Sequence, residues 1–228
     1  MSNKSNLNFG NSLFEGFNDQ HGLIICGYEY GLSKADEQAE QQSPDIHFND
    51  VTFTFANKVP FLGEHAKTFR YDNRIAKWFE LWGHPLNREG LGDDFTKSIM
   101  QTNVSNTQNR SVEDYEALSE HFDSFIQLLN TLKPSVIFFM GAELSNTINQ
   151  AERLAQIEAV LGQSQGKRIE TAETDGTAFK VIFQDFEHCT TVTFPHPSGT
   201  VGLSDDYIAS FKPQIDAILT AYKAKRGF

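Results

Sequence analysis

Four residues of this chain combine a reactive or recognising side chain with a position at the end of a structural run. Glu29 lies in LIICGYEYG (Leu23 to Gly31), an apolar run that closes in glycine, with the carboxylate between two tyrosines. Asn103 ends a second strand-like segment, SIMQTN, and His196 follows another, TTVTF, inside Pro195-His196-Pro197-Ser198-Gly199. Phe61 sits in a Pro60-Phe61-Leu62-Gly63 turn. Short apolar runs bounded by glycine suit buried parallel strands, and open α/β sheets bind ligands just past the carboxyl ends of such strands. Glu29, Asn103 and His196 are therefore expected to meet in one cleft, which would hold a carboxylate, an amide, an imidazole and the Phe61 ring face. Each also has a plain structural reading. Glu29 could be a solvated glutamate in a strand-to-loop turn, Phe61 one core ring among 20 Phe, Asn103 a residue bonded to its own loop, and His196 a satisfied structural histidine. No GxSxG elbow surrounds Ser198, which argues against a nucleophilic serine.

The elements that must position these residues follow in order. Residues 1–21, rich in Asn, Ser and Gly, read as a loose N-terminal arm, and Leu23 to Gly27 as the first strand. Residues 32–47 show no apolar periodicity and read as a surface loop. Val51 to Phe55 alternates like an edge strand, or else is an extended loop that lays Phe53 and Phe55 into the core. A helix is expected from about Glu64 to Trp82, ended by Gly83 and Pro85. Ser98 to Asn103 is the second core strand. Ser111 to Asp114 has the form of a capping box opening a helix with Tyr115, Leu118, Phe122, Phe125, Leu129 and Leu132 on one face. Val136 to Met140 is the third core strand, and a helix follows over Leu144 to Leu161. Arg168–Ala172 and Phe179–Phe183 read as a hairpin across a Thr-Asp-Gly-Thr turn. Thr190 to Phe194 is the fourth core strand, and a last helix over about 204–223 should kink or split at Pro213. The alternation predicts an α/β protein: one domain over 1–228, a three-layer α/β/α sandwich around a central, mainly parallel four-stranded sheet.

Composition narrows the function. A hydrophobic content of 39% with 12% aromatic residues supports a globular core. A formal net charge of −11 argues against broad attraction to nucleic acid or anionic membrane, while leaving room for a local basic patch, with Lys34, Lys58, Arg74, Arg110, Lys167 and Arg168 as candidates. The two cysteines, Cys26 and Cys189, form no CxxC pair, so no zinc or iron–sulfur site built on cysteines is expected; two buried thiols are. The other histidines show no metal-ligand spacing, and no metal or other cofactor is expected. The polar N-terminus lacks the apolar core of a signal peptide, no run approaches a membrane span, and a cytoplasmic protein is expected.

The ordered segments resemble the uracil-DNA glycosylase superfamily, in particular the branch best known from thermophiles. Gly27-Tyr28-Glu29-Tyr30-Gly31 stands where the family has a Gly-x-x-Pro-Gly-like turn. Pro60-Phe61-Leu62-Gly63 matches its Pro-Phe-x-Gly segment. Thr102-Asn103 with Asn109-Arg110, Leu132-Lys133-Pro134 through Gly141-Ala142, and His196-Pro197-Ser198 match the rest, in the right order across roughly residues 22–215. The resemblance implies a flipped-out nucleotide with Phe61 stacked on the base and Asn103 reading its pyrimidine edge. His196 would donate to the base oxygen, and Glu29 would position water and stabilise the oxocarbenium-like sugar. Gly27, Tyr28 and Ser198 would complete the substrate pocket. Gly199, Val201 and Leu203 would form a DNA-approaching loop, with Val201 or Leu203 as a wedge in the vacated stack.

The implied protein is a monofunctional DNA glycosylase acting on uracil or a related or modified pyrimidine in single- or double-stranded DNA, monomeric and without a membrane. Three departures mark it: the four cluster cysteines of that branch are missing, Tyr28 and Tyr30 replace the usual polar residue and proline, and the stretch 32–59 is longer. The alternatives are a catalytically inactive nucleotide- or partner-binding module of the same fold, and a hydrolase of free nucleosides or small glycosides.

Overall fold

The computed structural model describes residues 7–31, 51–105, 108–109, 121–172 and 179–228. Within them the chain runs β1 (Leu23–Gly27), β2 (Tyr30–Gly31), α1 (Val59–Leu62), a 3-10 turn (Glu64–Thr68), α2 (Arg70–Leu81), α3 (Asp94–Lys97), β3 (Ile99–Asn103), β4 (Gln108–Asn109), α4 (Phe122–Leu132), β5 (Val136–Met140), α5 (Ala142–Ile148), α6 (Ala151–Leu161), β6 (Ser164–Glu170), β7 (Val181–Phe186), β8 (Thr190–Phe194), α7 (Asp205–Ala209) and α8 (Lys212–Arg226). Six strands form one mixed sheet in the order β3-β1-β5-β8-β7-β6, and β2 pairs with β4 in a separate parallel ladder.

β3, β1, β5 and β8 are parallel, so their carboxyl ends share one edge. These are the four expected core strands, but the sheet is six-stranded rather than four-stranded. β7 adds antiparallel to β8, and β6 to β7. A hairpin is visible locally in sequence; the β7–β8 ladder that docks it on the sheet is a separate pairing that the hairpin's own pattern does not encode.

Alternation along the strands divides the core into two layers. Leu23, Ile25, Val136, Phe138, Met140, Val192 and Phe194 pack with Ile75, Trp78, Phe79 and Trp82 of α2 and with Tyr207, Ile215 and Leu219 of α7 and α8. Ile24, Cys26, Ile137 and Phe139 pack on the other face with Phe125, Leu129 and Leu132 of α4 and with Leu144, Ile148 and Ile157 of α5 and α6. Each large side chain so buried contributes about 1.5–3 kcal/mol. Both cysteines are free and buried.

Several local expectations change. The arm is not loose over its described part, 7–21. Asn11 accepts from the Gln101 amide at 2.7 Å and donates to the Ile99 carbonyl, Asn18 donates to the same carbonyl, and Thr102 donates to the Asn8 carbonyl. The Asn11 and Asn18 side chains satisfy the open backbone of edge strand β3, which would otherwise be a template for unwanted pairing, and Thr102 on β3 holds the arm in return. Arg226 ties the arm to α8 through the Gly16, Phe17 and Gln20 carbonyls.

Among the described residues the segment 51–55 is the extended loop: its one bridge there, Thr54 to Asn57, closes a turn, while Phe53 and Phe55 are each 1% exposed. The helix expected from Glu64 is broken at Phe69, whose extended backbone (ψ 108°) separates the 3-10 turn from α2. The helix expected over 144–161 divides where Asn149, instead of continuing it, pairs with Gln184. Pro213 does split the last helical region, sitting in the first turn of α8 where its missing N–H costs nothing. The capping box at 111–114, Lys34, Arg110 and the Thr-Asp-Gly-Thr turn lie outside the described residues.

Candidate functional site

The shared edge of the parallel strands carries Asn103 at the end of β3, Glu29 just past β1 and His196 just past β8. Gly27 and Asn103 are register partners at the ends of β1 and β3. A Cβ at Gly27 would run into Asn103 Oδ1 and meet the Tyr71 hydroxyl at 3.5 Å, so the bare glycine is what lets the Asn103 amide lie across the strand end. Asn103 itself is buried. The Tyr71 ring stands 5.6 Å from the His196 ring at 45°, and the Tyr28 ring stacks on His196 from another side at 6.2 Å and 19°. Glu29 follows Tyr28; it is half-buried, with Oε1 shielded from solvent.

His196 is held in one protonation state by its own loop. Its Nδ1 accepts from the Gly199 amide at 2.9 Å and from the Ser198 amide at 3.3 Å. Two N–H donors aimed at Nδ1 require a lone pair there, so the ring proton resides on Nε2. Burial pushes the imidazole below its ordinary range, which favours the same neutral form. The result is a neutral ring with a fixed Nε2–H donor, beside the Tyr28 and Tyr71 rings at the carboxyl edge of the sheet. The prolines at 195 and 197 suit this turn, since neither supplies an amide that would need a partner.

The remaining predicted residues differ in what they do. Tyr28 is buried: its ring lies against Gly141, where a Cβ would clash with it, and its hydroxyl accepts from the Glu143 amide at the start of α5. Ser198 contacts Nδ1 of His196 and so orders the loop. Phe61 is half-buried and stacks face to face on Phe53 at 4.9 Å and 7°, which sets the orientation of its ring.

Gly199 closes the histidine turn, and the loop then reaches its tip at Val201, 93% exposed. Leu203 is 5% exposed and belongs to the core under α7, so it cannot enter a base stack; of the two wedge candidates only Val201 is available. Among the basic candidates, Lys58 is half-buried in an ion pair with Asp72 (2.8 Å), and Lys167 and Arg168 lie on β6, the opposite edge of the sheet from β3.

No protein-family model matches this chain, and no curated protein matches it. Sequence reading missed Tyr71, in the first turn of α2. It lies four residues before Ile75 on the buried stripe of that helix, and a polar-tipped aromatic at the end of such a stripe nearest the strand ends was the available signal. Among the described residues, no group of three or more His, Cys, Asp or Glu could hold a metal ion, and no helix is long and apolar enough to cross a membrane.

Proposed function

We propose that this chain is a monofunctional DNA glycosylase that hydrolyses the N-glycosidic bond of a flipped-out uracil or related pyrimidine. The observation that carries this reading is the neutral His196 with its Nε2–H donor, on the same sheet edge as Asn103 and Glu29. Breaking a pyrimidine N-glycosidic bond leaves negative charge on the base and positive charge on the sugar. A fixed neutral donor strengthens as the base oxygen becomes anionic, because it is already oriented in a water-poor site. A carboxylate on the other side of the same bond stabilises the sugar cation and orients the attacking water.

Asn103 can both donate and accept through one amide, which suits the imide edge of uracil. Phe61, fixed by Phe53, would stack on the base, and Val201 would fill the gap left in the helix. The inactive binding module is the competing reading, favoured by the net charge of −11.

A base-release screen tests the proposal. Free base is expected from oligonucleotides carrying uracil or an altered pyrimidine. Release from free nucleosides alone would replace DNA as the substrate, and silence across a broad panel of damaged and modified DNA would leave the binding module. Gly27→Ala offers a finer check of Asn103. Only the tip of the Asn103 side chain has to give way to the new methyl, so thermal stability should change by less than about 1.5 kcal/mol. Base selectivity should nonetheless fall by about tenfold, the worth of one recognising hydrogen bond. Unchanged selectivity in a folded Gly27→Ala protein would remove Asn103 from base reading.

A further inference from the structure

One side of α2 is basic. Arg70, Arg74 and Lys77 fall at intervals of four and three, which stacks them along one face. Across from them runs the segment from Ser198 to Asp205, and the two walls enclose an open groove of about 740 Å³. Arg74 is part of the wall: it donates to the Pro197 carbonyl at 2.7 Å and to the Leu203 carbonyl, which fixes the loop that carries His196 and Val201. Arg70 and Lys77, both exposed, flank it. Lys77 meets Glu80 at 3.1 Å in a solvent-exposed pair, the kind that yields easily to a better anion. Asp205 is the carboxylate of the groove. Three cations thus face one carboxylate, on a chain whose formal net charge is −11.

We infer that this groove binds the phosphodiester backbone of one DNA strand, with Arg70 and Lys77 contacting phosphates. The inference rests on the glycosylase reading for the identity of the polyanion. Seven residues of helix span about 10 Å, which covers about three phosphate steps at 3.4 Å of axis each. The groove also reaches the site: Ser198 lines it, and the Ser198 amide bonds His196 Nδ1. A strand lying in it passes the tip of the loop at Val201, where a wedge would act. Ser198, Thr200 and Asn73 add neutral donors of the kind that fix register on phosphates without reading sequence.

The test is equilibrium binding of a labelled 20-nucleotide DNA without any altered base, single-stranded and duplex, across a range of salt. Each lost phosphate contact should flatten the plot of log affinity against log salt by about 0.7 for single strands and about 0.9 for duplex. The Arg70→Ala/Lys77→Ala protein should therefore lose about 1.4 or about 1.8 from the slope, and bind at least about tenfold more weakly at low salt. Asp205→Asn should bind more tightly than the parent. Lys167→Ala/Arg168→Ala, changed on the far sheet edge, should bind as the parent does.

A double variant with parental affinity and slope would overturn the groove, as would a parent protein that binds neither DNA. The two readings fail separately. Salt-dependent binding through Arg70 and Lys77 with no base release keeps the groove and removes the glycosylase, whereas base release with an unchanged slope in the variant does the reverse.

Discussion

His196→Asn is expected to slow single-turnover base release by about 10²–10³-fold, the usual effect of deleting one preorganised donor to a developing anion. Asparagine is chosen because its Oδ1 can take the place of Nδ1 and accept from the Ser198 and Gly199 amides, while nothing replaces the Nε2–H. The loop should therefore stay ordered and the melting temperature nearly unchanged. His196→Gln makes the opposite exchange. It can restore a donor near the Nε2 position but loses the acceptor that orders the loop, so it should retain more rate and less stability. Equal rates for His196→Asn and the parent would show that Nε2 takes no part.

The same residue sets a pH dependence. Its pKa is lowered in the fold by burial, so as pH falls the unfolded chain takes up the proton first, at about 6.5. The stability that His196 supplies is thus complete above about pH 6.5 and declines below it, as the pH approaches the depressed folded value. Base release should be level from about pH 8 down to about pH 6.5 and weaken only below, since protonating Nδ1 would set its N–H against two amide donors. The component due to this residue should vanish in His196→Asn, which has nothing to titrate there.

The second large effect is expected at Glu29. Glu29→Gln keeps the shape and removes the negative charge, so the sugar cation loses its counter-charge. A fall of about 10²–10³-fold in the single-turnover rate is expected, with DNA affinity changed by less than about threefold. Glu29→Asp, shorter by one methylene, should fall between. A Glu29→Gln rate within threefold of the parent would assign Glu29 to the solvated turn and leave the positive charge to be met elsewhere.

How much of this could be read from the chain depended on whether the signal was local. Leu23 to Gly27 and Val136 to Met140 stand where the apolar runs place them, because a strand buried on both faces reads as a near-continuous apolar run, and Thr190 to Phe194 stands where β-branched and aromatic residues favour a strand. That parallel alignment puts the ends of β3, β1 and β8, and with them Asn103, the Glu29 turn and His196, on one edge of the sheet. The arm was misread because Asn8, Asn11 and Asn18 hold β3 through side-chain-to-backbone bonds, which leave no hydrophobic period in sequence. Val201 and Leu203 look alike in sequence, two residues apart in one loop. Only the packing of Leu203 with the core separates them. The placement of Tyr28 depends on Gly141 and Glu143, 113 and 115 positions away. The basic groove was hidden for the same reason, since Arg70 and Lys77 gain meaning only against a loop that starts at Ser198.

The central claim is cleavage of an N-glycosidic bond with the sugar–phosphate chain left whole. It is tested most directly by incubating the protein with an end-labelled oligonucleotide holding one uracil, then separating free base and resolving the strand before and after alkali. The account predicts free uracil, an intact strand, and scission at the uracil position only after alkali, all suppressed in Glu29→Gln and His196→Asn. Strand scission without alkali would contradict a monofunctional enzyme. No released base from this substrate or from any other altered pyrimidine would contradict the glycosylase itself.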